Sequence, residues 1–137
     1  MLKAFYVYAL TLLVFFAIDI VWIGVLAKDF YQQKLAHIFA QDINWTAAVL
    51  FYLLYIAGIL VFATAPALRE GSRGQAALLG AFFGLIAYAT YDLTNLATVR
   101  DWPLMVTVVD MIWGTALTSA LAVASFQIAR WIGWQPS

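Results

Sequence analysis

The sequence predicts an all-α integral membrane protein, a four-helix bundle with a short amphipathic interfacial helix between helices 1 and 2. Hydrophobic residues make up 66% of the 137 residues, against about 45–50% in soluble domains, and charged residues make up 10%, against about 25%. Four apolar stretches each approach the roughly 20 residues that a helix needs to cross the hydrocarbon core. Because these stretches are unbroken rather than alternating, and because backbone groups in lipid must bond internally, they are expected to be helices.

Composition also excludes several classes of function. The 7 basic and 7 acidic residues cancel, so no basic field attracts nucleic acid, and no nucleic-acid partner is expected. An ordinary soluble enzyme of this size would need far more polar surface. The absence of cysteine removes disulfides, zinc–thiolate sites and thiol nucleophiles. No cofactor is expected.

Four membrane spans are predicted within one domain that covers residues 1–137, with approximate limits at residues 4–27, 45–65, 74–97 and 104–132. The first span is expected to stay in the protein, because its apolar run is longer than the roughly 7–15 residues of a signal-peptide core. Asn44 or Thr46 is expected to cap the second span, and Pro66 is expected to end it.

The connection between the first two spans is the only long one, and it predicts an amphipathic helix over residues 29–43. Such a helix lies in the plane of the membrane interface. Its apolar residues recur at helical spacing: Phe30, Tyr31, Leu35, Ile38, Phe39 and Ile43. His37 is interpreted as an interface residue, with a proton relay as the alternative.

Lysine and arginine residues beside the spans predict the orientation of the chain. With both termini in the cytoplasm, that side carries Lys3, Arg69, Arg73 and Arg130, and the opposite side carries Lys28, Lys34 and Arg100. The bias favours cytoplasmic termini.

Three of the spans carry an aspartate, and a charged residue inside a span usually marks a functional site. At a rise of 1.5 Å per residue, Asp19, Asp92 and Asp110 lie about 12, 9 and 10 Å from the span ends at the first and third connections. The second span brings no charge. The three side chains are therefore expected to converge inside the bundle and to bind a proton, a cation or a small amphiphile. Whether a metal binds is left open.

The aspartates share helical faces with small and hydrogen-bonding residues. Glycines on these faces allow another helix to approach closely, and they are Gly80, Gly84 and Gly114. Further candidates for the site are the aromatic and amide side chains beside the carboxylates: Trp22, Tyr88, Tyr91, Asn95 and Trp113.

The first and fourth spans repeat an Asp-x-x-Trp pattern followed closely by glycine. Asp19 and Trp22 have this spacing, as do Asp110 and Trp113. An indole donates its N–H to a carboxylate, and its ring walls off a cation. Because the two copies run in opposite directions, they suggest an inverted pair around a site. In the alternative interpretation the carboxylates are purely structural and accept hydrogen bonds that hold the helices of the bundle together. About half of the aromatic residues are expected in the interfacial belt, notably Trp45, Trp102, Trp131 and Trp134.

Three stretches resemble a family of small bacterial membrane proteins catalogued as domain of unknown function 2177. They are Tyr88–Thr98, Trp102–Pro103 and Val109–Thr115, and Asp19 with Trp22 fits the same family. The resemblance extends over nearly the whole chain. It implies a four-helix integral membrane protein and brings no known activity, so the purpose of these residues is inferred from their chemistry. The expected location is the bacterial cytoplasmic (inner) membrane.

Three functions are compatible with the sequence. The favoured one is a small transporter or binding protein whose carboxylates hold a proton, a cation or a small amphiphile, with a homodimer expected because four helices are few for a transport path. The alternatives are an accessory subunit of a larger membrane complex and an enzyme acting on a lipid or isoprenoid. An enzyme is less expected, because no metalloprotease helix, serine nucleophile elbow or phosphate loop is present.

Overall fold

The computed structural model describes all residues from Met1 to Ser137, and every regular element in it is helical. Five helices follow one another: α1 Leu2–Leu26, α2 Lys28–Leu35, α3 Trp45–Glu70, α4 Arg73–Thr98 and α5 Leu104–Ile132. All but α2 are long and apolar enough to cross a membrane. The predicted fold class, an all-α chain with four spans, is confirmed.

The end of α3 differs from the prediction, because the helix continues through Pro66 to Glu70. Proline lacks an N–H and its ring clashes with the carbonyl group four residues earlier. A wider π-helical turn over Leu60–Thr64 precedes the proline, which lies in the first turn of the α-helical segment that follows. Such a turn accommodates the break in the α-helical pattern, and a hydrogen bond between the Thr64 and Ser125 hydroxyls joins it to α5. The prediction that Pro66 ends the helix was wrong.

The interfacial helix α2 is also shorter than predicted, because it ends at Leu35 rather than near residue 43. A turn follows, and the chain stays non-helical until the Asn44 side chain caps α3 by accepting a backbone N–H at 3.1 Å. Leu35 is buried in a small cluster with Trp102, and the turn places His37 Nε2 3.1 Å from the carbonyl oxygen of Asp101. Tertiary contacts at the α4–α5 connection therefore override the helical periodicity.

Helices α4 and α5 form the tightest pair of the bundle, and glycine makes their approach possible. A Cβ atom on Gly80 would lie 2.6 Å from the Cβ of Ala122, and one on Gly84 would lie 2.5 Å from the carbonyl oxygen of Gly114. Small residues at such positions let helix backbones come together, which is how helices gain packing energy in lipid.

Helix α3 lies against α4 along only part of its length. The two helices meet where Phe83 packs on Gly58, and they stay together from Leu60 to the end of α3. Upstream of this point α3 scarcely touches α4. The divergence leaves a space inside the bundle at the end that carries α2.

Candidate functional site

The space between the diverging helices is a cavity of about 490 Å³. All five helices contribute to its wall, and α2 with the turn after it lies across one end. Most of the lining is apolar or aromatic. The polar side chains in the wall are Asp19, Tyr31, Tyr52, Tyr88, Tyr91 and Asp110.

Asp110 is held by a short chain of hydrogen bonds that reaches out to α2. The Tyr31 hydroxyl donates to Asp110 Oδ1 at 2.7 Å, and Trp22 Nε1 donates to the Tyr31 hydroxyl oxygen at 3.4 Å. Burial and the neighbouring carboxylate raise the pKa of the Tyr31 phenol. Tyr31 therefore remains a neutral donor to Asp110 over the physiological pH range.

Asp92 lies behind Asp110 and is fully buried. Its carboxyl group is within hydrogen-bonding reach of the Asp110 carboxyl group, but no protein donor bonds to either of its oxygens. The nearby hydroxyl of Thr107 accepts from Trp102 Nε1 at 3.0 Å and donates to the Asp92 backbone carbonyl at 3.4 Å, not to the side chain. Asp110 is therefore the immediate polar neighbour of the Asp92 carboxyl group.

Asp19 lines the same cavity from α1 and is half-buried. It faces Asp110 across the cavity, close enough for their charges to interact. The three carboxyl groups do not form a cluster of the kind that holds a metal ion. The structure therefore places Asp92 within hydrogen-bonding reach of Asp110 and puts Asp19 on the opposite wall of the cavity.

The two Asp-x-x-Trp segments meet through their indoles. Trp22 and Trp113 stack face to face, with ring centroids 4.1 Å apart and planes 7° from parallel. Both rings line the cavity. Beside them, the ring of Tyr88 lies over Gly114, where a Cβ atom would come within 2.1 Å of it. A glycine at position 114 thus sets the position of Tyr88 in the wall.

The remaining candidates from the sequence are divided between the cavity and its surroundings. Tyr91 lies at the edge of the cavity and is 56% exposed. Asn95 does not line the cavity. Trp102, which was expected in the interfacial belt, is buried in the cavity wall, where its indole N–H donates to Thr107 Oγ1. Trp45 and Trp131 are largely exposed, as belt residues are.

Sequence reasoning missed Tyr31 and Tyr52 as members of the site. Tyr31 belongs to the apolar stripe of α2, and the position of that stripe above the carboxylates was the available signal. Tyr52 lies seven residues into α3, about 10 Å from its start by helical rise, which is the depth of the aspartates. A search for polar groups at that depth, not only charges, would have found it.

The cavity opens sideways between α3 and α4. Phe51 on α3 and Tyr91 on α4 belong to the lining and are 51% and 56% exposed. They lie beyond the level of Tyr55 and Phe83, whose stacked rings, 6.3 Å apart, close the gap between the two helices. This flank of the cavity therefore lies on the exposed apolar surface of the spans.

A family model described as a predicted membrane protein, DUF2177, matches residues 4–127. No curated protein and no solved structure matches the chain. Because the family model covers most of its length, the chain belongs to this family.

Proposed function

For this member of the DUF2177 family, we propose that the cavity binds a small amphiphilic cation, as the site of a membrane binding protein or transporter. The observation that carries the proposal is the pairing of charge with apolar surface. Asp19 and Asp110 face a cavity whose other walls are mainly aromatic and aliphatic, and no basic side chain lines it.

Aromatic walls and carboxylates together favour an organic cation over a bare ion. A cation above the face of tryptophan or tyrosine gains about 0.5–2 kcal/mol, most where water is excluded. Trp22, Trp113 and Tyr88 present such rings beside the carboxylates. A metal ion would instead need several oxygen ligands at about 2.0–2.6 Å, and the three aspartates do not gather in that way.

The size and the opening of the cavity also suit an amphiphile. Sites for small molecules usually have volumes of about 300–1,000 Å³, and this cavity has a volume of about 490 Å³. The lateral opening beside Phe51 lets an apolar tail remain in the bilayer while a cationic group reaches Asp19 or Asp110.

The two other functions find less support in the geometry. A lipid- or isoprenoid-modifying enzyme that handles phosphate would need a lysine or arginine at the reacting group, and none lines the cavity. An accessory subunit has no need of a carboxylate-lined cavity open to lipid.

The proposed location is the bacterial cytoplasmic membrane with both termini inside. The charge bias of the flanking lysines and arginines supports this orientation. The cavity then lies in the outer half of the bilayer, with α2 at the outer interface.

A binding experiment with a lipophilic cation tests the proposal. The purified protein in lipid nanodiscs is titrated with tetraphenylphosphonium at pH 8 by calorimetry, with neutral triphenylphosphine oxide as the matched probe. We expect saturable binding of the cation at one site and at least tenfold weaker binding by Asp19→Asn, since a loss of about 1.4 kcal/mol is tenfold in affinity. Asp29→Asn is the control, because Asp29 is exposed on α2 and does not line the cavity.

Equal binding of the neutral probe, or unchanged affinity in Asp19→Asn, would refute the cation site. If the cation binds as expected, its uptake into proteoliposomes separates a transporter from a binding protein.

A further inference from the structure

The carboxyl group of Asp92 is buried without a hydrogen-bond partner, and a cation in the proposed site does not supply one. Asp92 is fully buried and both of its side-chain oxygens lack a donor. Burying an ionised carboxylate without a hydrogen-bond donor or a counter-charge is among the most unfavourable arrangements in a protein interior. Asp92 does not line the cavity, so a cation bound there meets Asp110 first.

One proton placed between the two acids removes this difficulty. As a neutral acid, Asp92 donates its O–H to Asp110, which lies within hydrogen-bonding reach. Asp110 then keeps a single negative charge and accepts from two donors, Asp92 and the Tyr31 hydroxyl at 2.7 Å. One of the two buried oxygens of Asp92 then has a hydrogen-bond partner, and the pair carries one charge instead of two.

We propose that Asp92 and Asp110 share one proton, and that this acid pair is the place where a proton competes with the bound cation. The second part rests on the proposed function, because it requires the cation site; the shared proton does not. Asp19, on the opposite wall of the cavity, provides the carboxylate that pairs with the bound cation.

The arrangement also gives the proton a way out. Asp92 has no exposed surface, whereas Asp110 is half-buried and lines the cavity. A cation beside Asp110 favours the doubly ionised pair. The O–H bond of Asp92 then breaks, the proton passes to Asp110, and Asp110 gives it to water in the cavity. No electrons are exchanged, and one cation in for one proton out leaves the total charge of the site unchanged.

Other titratable groups surround the pair, and they enter the design of the test. Those facing it are Asp19 from α1, Tyr31 from α2, and Tyr88 and Tyr91 from α4 itself. Tyr52 and Tyr55 from α3 lie near Asp19. Among these groups, Asp19 is the only one whose type of side chain ordinarily titrates below pH 9. His37 is exposed and lies outside the cavity, so His37→Gln removes its contribution to any pH dependence.

The first measurement needs no ligand. In the infrared spectrum of the wild-type protein at pH 7, we expect the carbonyl stretch of a protonated, buried carboxyl group. Asp92→Asn removes the band, because the carboxyl group is no longer present. The fold is kept, because the asparagine amide donates to Asp110 as the neutral acid does. Asp110→Asn keeps the band at a shifted frequency, because the acceptor is then an amide oxygen, and Asp29→Asn leaves it unchanged. A wild-type spectrum without the band overturns the shared proton.

The second measurement tests the competition. Tetraphenylphosphonium is titrated into the wild-type protein in nanodiscs from pH 5.5 to 9.5, in buffers with different heats of ionisation. As the pH falls below the apparent pKa of the pair, the Kd for the cation is expected to rise by up to tenfold per pH unit. Each cation that binds in this range is expected to release up to one proton. His37→Gln behaves as the wild type does. From pH 7.5 to 9.5, Asp92→Asn binds with the weak affinity of the wild type at acid pH, and this binding neither depends on pH nor releases a proton.

The two proposals fail in different ways. Cation binding that is independent of pH in the wild-type protein, with no proton release, overturns the competition and leaves the cation site standing. A protonated-acid band without any binding of the cation overturns the proposed function and the competition, and it leaves the shared proton standing.

Discussion

Replacing Gly84 by alanine is expected to force α4 and α5 apart. The new Cβ atom would lie 2.4 Å from Thr118 Oγ1, 2.5 Å from the Thr118 Cβ and 2.5 Å from the carbonyl oxygen of Gly114. Ordinary contacts of a carbon atom are about 3.5 Å or longer. The carbonyl oxygen belongs to the α5 backbone and cannot rotate away, so the helices must separate by about 1 Å.

The size of the effect follows from two opposing terms. Overpacking a well-packed interior costs about 1–3 kcal/mol, whereas alanine is favoured over glycine inside a helix by up to about 1 kcal/mol. The separation also disturbs the hydrogen bond between the hydroxyls of Thr118 and Tyr55. We therefore expect Gly84→Ala to lower the free energy of unfolding by about 1–2 kcal/mol.

Reversible unfolding in mixed micelles with an increasing mole fraction of dodecyl sulfate measures this quantity, with tryptophan fluorescence as the signal. Gly74→Ala is the matched control on the same helix, because the nearest atom to its Cβ would be Ser72 Oγ at an ordinary 3.7 Å. The control is expected to be neutral or stabilised. If both variants unfold at the same detergent fraction, α4 and α5 do not approach each other as closely as these distances require.

Two further predictions concern the cavity. Tyr31→Phe removes the donor that joins α2 to the acid pair, so the backbone amides of α2 should exchange hydrogen faster while those of the long helices do not. Tyr6→Phe, which changes an exposed residue of α1, is the control. Unchanged exchange in α2 of Tyr31→Phe would contradict this role of the hydrogen bond. The stacked rings of Trp22 and Trp113 should show a coupling of about 0.5–1.5 kcal/mol in a double-mutant cycle with leucine. Trp22 with Trp134 should be additive, and an equal coupling in both cycles would argue against the stack.

The sequence alone was sufficient for the spans and for the depth of the aspartates. Lipid offers backbone groups no partner, so a long apolar stretch has one available conformation, and hydropathy finds it directly. The fixed rise of a helix then converts positions such as Asp19 and Asp110 into depths. The start of α3 was also readable, because an asparagine before an apolar stretch is a local signal, and Asn44 does cap the helix.

Other features depended on contacts between residues distant in the chain. Pro66 did not end α3, because a π-helical turn held against α5 accommodates it. The predicted interfacial helix ended early, because Leu35 and the turn at His37 bind to the α4–α5 connection. Local periodicity describes one helix at a time and contains no information about such partners.

The site itself shows the same division. Helical faces predicted that the aspartates point inward, but a face spans a wide angle. Only the packing of α4 on α5 decided that Asp92 lies within hydrogen-bonding reach of Asp110 while Asp19 stands across a cavity. The cavity exists because α3 diverges from α4. Its donor to Asp110 comes from Tyr31, 79 positions away in the chain. Composition and spacing determined that this protein lies in a membrane with buried acids; the angles between its helices determined which acids meet and what surrounds them.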